Sequence, residues 1–295
     1  MQTLRVEHTT VYRYARPVRF GRHRLMFRPR DSHDMKLLGA TLTTSPPARL
    51  SWVHDAFGNS ITLADFDAPA SELRLVSTIR LEHYPIAEID FAIEPFAETW
   101  PFSYRFEEVP DLARTIERHY PDPDRRVDGW ARVYLDRGGP TGTLDLLRGM
   151  TRGVADTFTY EQREAVGTCT PVELLEAGCG TCRDYALFLM EAARALGLAA
   201  RFVTGYLYDP ALDPRSGQTS SGLEGAGATH AWTQVYVPGA GWIELDPTNG
   251  IVGGANLIRV AVVRDPAQAA PLTGTFTGSA ADFAGMDVAV RVTLE

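Results

Sequence analysis

Three cysteines stand at positions 169, 179 and 182, and the last of them opens a helical pattern. After Gly178-Cys-Gly-Thr-Cys-Arg-Asp, residues Tyr185, Phe188, Leu189, Ala192, Ala193 and Leu196 recur at i, i+3, i+4, i+7, i+8 and i+11. That spacing predicts a long amphipathic helix, with Leu187 and Met190 on its flanks suggesting cover on nearly every side and Gly197 stopping it. Cys182 therefore falls at or just before the first turn. Unpaired backbone N–H groups and the helix dipole favour negative charge there, so a thiolate is expected with a pKa below the ordinary value of about 8.5. The same N–H groups could receive a developing oxyanion. A single cysteine is more often an inert buried side chain, so the inference needs a second group.

A thiol nucleophile needs a base. Histidines occur at 8, 23, 33, 54, 83, 119 and 230, and only His230 follows residue 119. If the helical half carries its own base, the base is His230, in the strand-like run Thr-His-Ala-Trp-Thr-Gln-Val-Tyr-Val. An acid that orients the imidazole would complete the set. Asp246 ends the next strand-like run, although Asp-Pro-Thr-Asn also makes a good type I turn; Glu244 is the rival. Register decides whether His230 and Asp246 share a face. A plain even loop at Pro238–Gly241 would put them on opposite faces, so the pair requires an odd loop or a β-bulge. Trp232 would line a cleft beside His230 or lie in the core.

The elements that must hold these residues change character along the chain. From residue 1 to about 84 the period is two: Leu4, Val6, His8, Thr10, Tyr12 and Tyr14 alternate with polar residues, as do Leu73, Leu75, Ser77, Ile79 and Leu81. Two strands around Gly58-Asn59 complete an antiparallel β domain. Residues 85–126 are rich in proline and read as a connecting segment with one short helix near Leu112–His119. From 127 to 295 the pattern is α+β: helices over Trp130–Tyr134 and Leu144–Val154, a short one at Val172–Glu176, the Cys182 helix, a strand over Ala199–Leu207, and a hairpin of Thr229–Val237 with Trp242–Asp246. The Gly- and Ser-rich stretch Asp209–Ala228 is long enough to serve as a lid.

Composition removes several functions. A net charge of −8, with Lys36 the sole lysine, argues against nucleic acid as a partner. No apolar run approaches the roughly 20 residues of a membrane span, and the N-terminal alternation does not resemble a secretion signal. With no disulfide framework, a cytoplasmic setting is expected. No nucleotide loop or metal-ligand spacing stands out, so neither cofactor nor metal is expected. Two rivals use the same cysteines. Cys179-Gly-Thr-Cys182 could be a dithiol redox pair, but it follows a short helix rather than a strand. Cys169, Cys179, Cys182 and His230 could hold zinc, but lack a second compact ligand pair. A non-catalytic binding module on the same fold is a third possibility.

Gly180-Thr-Cys-Arg-Asp-Tyr-Ala, Leu196-Gly-Leu-Ala-Ala-Arg-Phe-Val-Thr-Gly-Tyr, His230-Ala-Trp-Thr-Gln-Val-Tyr and Gly241-Trp-Ile-Glu-Leu-Asp-Pro-Thr-Asn-Gly, in that order, resemble the bacterial transglutaminase-like family. Glu7-His-Thr-Thr-Val-Tyr-Arg-Tyr and Asp55-Ala-Phe-Gly-Asn resemble that family's β-rich N-terminal region. The resemblance implies a papain-like core of helices packed on an antiparallel sheet. It implies Cys182 as nucleophile, His230 as base and Asp246, rather than Glu244, as orienting acid. The implied activity is cysteine-dependent acyl transfer on a carboxamide or amide bond of a peptide or protein, hydrolytic in the first instance, with protein crosslinking as the alternative. Arg183 stands where Gln is common in the family and Gln234 where Glu is usual, and Leu257 and Val263 also depart from its pattern. For a second oxyanion donor the candidates are Tyr160 and Gln162.

Overall fold

The computed structural model describes residues 1–84, 91–161, 163, 167–217 and 222–295. The alternation that begins at Leu4 becomes one long strand, Gln2–Phe20, whose Leu4, Val6, His8 and Thr10 are buried while Arg5, Glu7 and Thr9 turn toward solvent. Ala70–His83 pairs antiparallel with it, and Met35–Ser45 pairs with Ala70–His83. A second sheet contains His23–Leu25, Ser60–Phe66 and Ala48–His54. Tyr14, Val18, Phe20, Leu25, Leu73 and Leu75 fill the space between the two sheets.

The last strands of the chain join the N-terminal sheets. Phe283–Leu294 pairs along the free side of Gln2–Phe20, from Leu4 opposite Leu294 to Tyr14 opposite Phe283, and Leu272–Thr273 pairs with His23–Leu25. The N-terminal sheets are therefore completed by the far end of the chain. Backbone ladder bonds, which leave no long-range mark on periodicity, set this arrangement.

Five helices lie among the described residues: α1 (Val109–Ile116), α2 (Arg126–Arg132), α3 (Thr143–Thr157), α4 (Pro171–Ala177) and α5 (Cys182–Ala195). None of them is long and apolar enough to cross a membrane. Thr170 and Glu173 form a capping box at the start of α4, Pro171 takes its first position, and Gly178 closes it in the left-handed conformation at φ 69°. The connecting segment is partly outside the described residues, at 85–90. Its helix α1 ends before His119, whose N–H, with that of Tyr120, approaches the Glu191 carboxylate.

A five-stranded antiparallel sheet supports the helices, in the order Ile251–Val252, Gly241–Asp246, Thr229–Val237, Ala200–Leu207, Leu257–Val263. Helix α5 lies on its centre, with α2, α3 and α4 around it. Tyr185, Leu187, Phe188, Leu189, Met190, Ala192 and Ala193 are all buried, so both the stripe and its flanks are covered. Glu191 and Arg194 are buried as well, 2.9 Å apart, and Arg194 also donates to the carbonyls of Ala200 and Arg264. That network fixes the far end of α5 against the sheet. Leu4, Val6 and Ile79 of the first sheet pack on Tyr206, Ile258 and Val260 of the five-stranded sheet, and the Asn59 side chain exchanges two hydrogen bonds with the Val262 backbone, at 2.8 and 3.0 Å. The α+β reading, a β-rich N-terminal part followed by helices on an antiparallel sheet, holds.

Candidate active site

Cys182 is the first residue of α5. The helix starts there because Asp184 gathers the chain around its N-terminus. Oδ2 of Asp184 accepts from the Thr181 N–H and from the Thr181 hydroxyl, both at 2.8 Å. Oδ1 accepts from the Cys169 N–H at 2.7 Å and from Arg163 at 3.0 Å. One buried carboxylate thus caps the helix that Cys182 opens and pins the preceding loop to it, a role that sequence reading did not assign to Asp184.

His230 sits on the Thr229–Val237 strand, opposite Gly205 of the neighbouring strand. A Cβ at Gly205 would lie 2.0 Å from the Ile258 carbonyl oxygen and 2.9 Å from the Trp232 ring, so glycine is required where the sheet register shifts beside the histidine. On the other side, Val237 pairs with Gly241 and Gln234 with Glu244, leaving a three-residue loop, Pro238-Gly-Ala. The loop is odd, as a shared face requires. The imidazole Nε2 meets Asp246 Oδ2 at 3.0 Å, and both side chains are almost wholly buried. The Cys182 thiol lies within hydrogen-bonding reach of the imidazole and of the Tyr160 hydroxyl. Nε2 is taken by Asp246, which leaves the buried Nδ1 without a hydrogen-bond partner.

Electrostatics follow from this geometry. Burial works against a charged imidazole, but the Asp246 carboxylate, by charge and hydrogen bond, and the Cys182 thiol outweigh it and push His230 up to about 10. Burial likewise opposes an ionised Asp246. The imidazole, the Asn249 amide and the Thr248 N–H reverse this and hold its carboxyl below the usual range. The two shifts agree in describing an ion pair. Tyr160 is shifted upward, first by burial and then by the neighbouring Cys182, so its hydroxyl keeps its proton as a donor.

Glu244 is committed elsewhere. Its carboxylate accepts from the Trp232 indole N–H, from Gln234 and from Arg259. Trp232 is fully buried and stacks on the imidazole at 26° and 6.0 Å, which makes it packing behind His230 rather than cleft wall. Gln234 also accepts from Arg201 at 2.6 Å, so it braces the sheet. Gln162 lies outside the described residues. Cys169 accepts from Arg163 at 2.7 Å, while a hydrogen bond to Glu161 raises the Cys179 pKa. The three cysteines are free, and among the described residues no group of three or more His, Cys, Asp or Glu could hold a metal ion. Asn249 and Gly225, which sequence reading did not single out, both touch the site.

Two family models match the chain: the bacterial transglutaminase-like N-terminal region over residues 4–82, and the transglutaminase-like superfamily core over residues 134–247. An uncharacterized protein of Mycobacterium tuberculosis is 30% identical over 277 residues, covering 92% of this chain and 86% of the relative. The chain belongs to the bacterial transglutaminase-like family. A second uncharacterized relative, from Mycobacterium leprae, is 27% identical and covers 99% of each chain. Among solved structures, a "putative cysteine protease" from Cytophaga hutchinsonii superposes with a TM-score of 0.70 at 17% identity, over 99% of this chain and 90% of that one. That likeness is one of fold: the whole transglutaminase-like chain, N-terminal sheets included, follows the same path.

Proposed function

We propose that this transglutaminase-like chain is a cysteine-dependent acyl-transfer enzyme that cleaves an amide or carboxamide bond of a peptide or protein by hydrolysis. One observation carries the reading: a buried imidazole, charged through Asp246, stands beside a thiol at the N-terminus of α5. In the proposed reaction Cys182, as the thiolate beside the charged imidazole, adds through Sγ to the carbonyl carbon, and the C–N bond breaks as His230 gives its proton to the departing amine. A thioester remains on Cys182. His230 then takes a proton from water, the hydroxide adds to the same carbon, and the C–S bond breaks to release the acid and restore the thiolate beside the charged imidazole. The Cys182 N–H and the Tyr160 hydroxyl are the donors proposed for the oxyanion.

Water is the proposed acceptor because Cys182 is only 6% exposed and His230 1%, so a second polypeptide would have to enter a nearly closed site. Three free thiols suit a reducing compartment such as the cytoplasm. The dithiol alternative is disfavoured by Cys179, whose hydrogen bond to Glu161 raises its pKa, the opposite of the lowered pKa a redox-active thiol carries. The test is to trap the acyl group on Cys182 from a peptide library and identify it by mass. A trapped acyl group that water releases supports the reading. Product formed only when an amine is added would replace hydrolysis by crosslinking, and undiminished turnover by Cys182→Ala would refute both.

A further inference from the structure

Asn249 does two things at once. Its Nδ2 donates to Asp246 Oδ2 at 2.8 Å, which ties it to the His230–Asp246 pair. Its carboxamide also exchanges two bonds with one residue of the glycine-rich segment: Oδ1 accepts from the Glu224 N–H at 3.0 Å, and Nδ2 donates to the Glu224 carbonyl at 3.2 Å. A side chain is making the two-way exchange that a strand makes with its neighbour. It reads main chain only, and the Glu224 side chain is exposed.

The segment so held, residues 222–227, runs across the edge of the imidazole that a thiol must share. A Cβ at Gly225 would lie 2.7 Å from His230 Nδ1 and 3.6 Å from the Tyr160 hydroxyl, and Gly225 has φ +83°, the left-handed region that favours glycine. Leu223 and Ala226 pack on the apolar cluster around Trp232 and Leu257. The Leu223 N–H donates to Asp209 at 2.8 Å, and the Gly227 carbonyl accepts from the Val290 N–H at 3.0 Å. Bare main chain therefore occupies the space directly over the proposed reacting groups, docked by a carboxamide that takes the N–H and C=O of a single residue and no side chain.

We propose that Asn249 is the docking residue for the main chain of an extended polypeptide substrate, and that Glu224 occupies its place while the site is closed. A substrate residue next to the scissile bond offers the same N–H and C=O, displaces Glu224, and lifts Gly225 from His230. A small amide without a flanking peptide unit cannot make both bonds, so the preferred substrate class is polypeptide. The inference rests on Cys182 and His230 being the reacting pair.

Two reagents with the same kind of warhead test it on the full chain. Chloroacetamide probes access to Cys182; acetyl-Ala-Ala-Ala chloromethyl ketone probes access and main-chain docking together. Asn249→Ala should speed labelling by chloroacetamide and lower the ratio of peptidyl to small-reagent rates about tenfold, the effect of losing two modest hydrogen bonds to the peptide. Asn249→Asp, which keeps an acceptor but loses the donor, should lower the ratio less. Gly225→Ala leaves the carboxamide intact and should speed both reagents. A structural lesion would slow or speed both reagents alike in every variant. If wild-type Cys182 reacts with both reagents and the ratio does not change in either Asn249 variant, the docking role is overturned and the thiol reading survives. If Cys182 reacts with neither, both fall.

Discussion

Replacing Asp246 by Asn in a Cys182→Ala background isolates the imidazole–carboxylate pair. The thiol is removed because a Cys–His pair exchanges protons as a unit and would blur the count. In the folded chain burial opposes the imidazolium, Asp246 outweighs burial, and His230 rises from 6.5 to about 10, with a smaller share due to Cys182. The folded state then keeps a proton that the unfolded chain releases above about 6.5. The pair's contribution to stability is complete below that pH and drains as pH climbs toward the folded value, at about 1.4 kcal/mol per pH unit. Between pH 6.5 and 8.5 this amounts to about 3 kcal/mol. Asn at 246 removes the charge and leaves burial, so the imidazole is neutral when folded. The slope then vanishes above 6.5 and changes sign below it, where the unfolded chain now binds the extra proton. His8, lowered by burial to about 4, and His23 and His83, also lowered mainly by burial, act only on the acid side and do not confuse the window. Nitrogen-15 NMR of the imidazole reads the charge directly, and denaturant unfolding across pH 6.5–8.5 reads the energy. A His230 ring that is neutral at pH 7.5 with Asp246 intact, or equal pH slopes in the two proteins, would refute the ion pair.

Cys182→Ser should abolish turnover while Cys169→Ser and Cys179→Ser retain most of it, because those two thiols are engaged by Arg163 and Glu161 rather than by His230; comparable loss from Cys179→Ser, in a steady-state assay on the trapped substrate, counts against the assignment. Tyr160→Phe should lower kcat about a hundredfold with KM little changed, as expected for a donor used mainly in the transition state; an unchanged kcat removes Tyr160 from the oxyanion site. Gly205→Ala should destabilise the fold by about 3 kcal/mol or more, since its methyl meets a backbone carbonyl at 2.0 Å; a Tm within a degree of wild type would show that the bulge can relax.

What could be read from the sequence was whatever a local period or a short motif carries. The stripe from Tyr185 to Leu196 placed α5 and put Cys182 at its start, and alternation placed the Thr229–Val237 strand under His230. The histidine count narrowed the partner to one residue, but proximity came only from tertiary packing. Register was the intermediate case. Sequence stated the condition, an odd loop between Val237 and Gly241, without deciding it, because Pro-Gly-Ala-Gly fits several turns; the observed pairing of Gln234 with Glu244 decides it. The partner of the C-terminal strands escaped because a period of two marks a strand and not its neighbour, so nothing in Phe283–Leu294 announces Gln2–Phe20 as its partner. Asn249 escaped for a related reason. Its sequence signal, the Asp-Pro-Thr-Asn turn, is satisfied locally by the Thr248 N–H on Asp246, and a turn that explains itself hides a second use of its last side chain. Only the position of Glu224, 25 residues earlier in the chain, shows that use. The same turn that orients the acid of the proposed triad therefore also holds the segment that covers it, so covering the site and orienting His230 are coupled through one carboxamide.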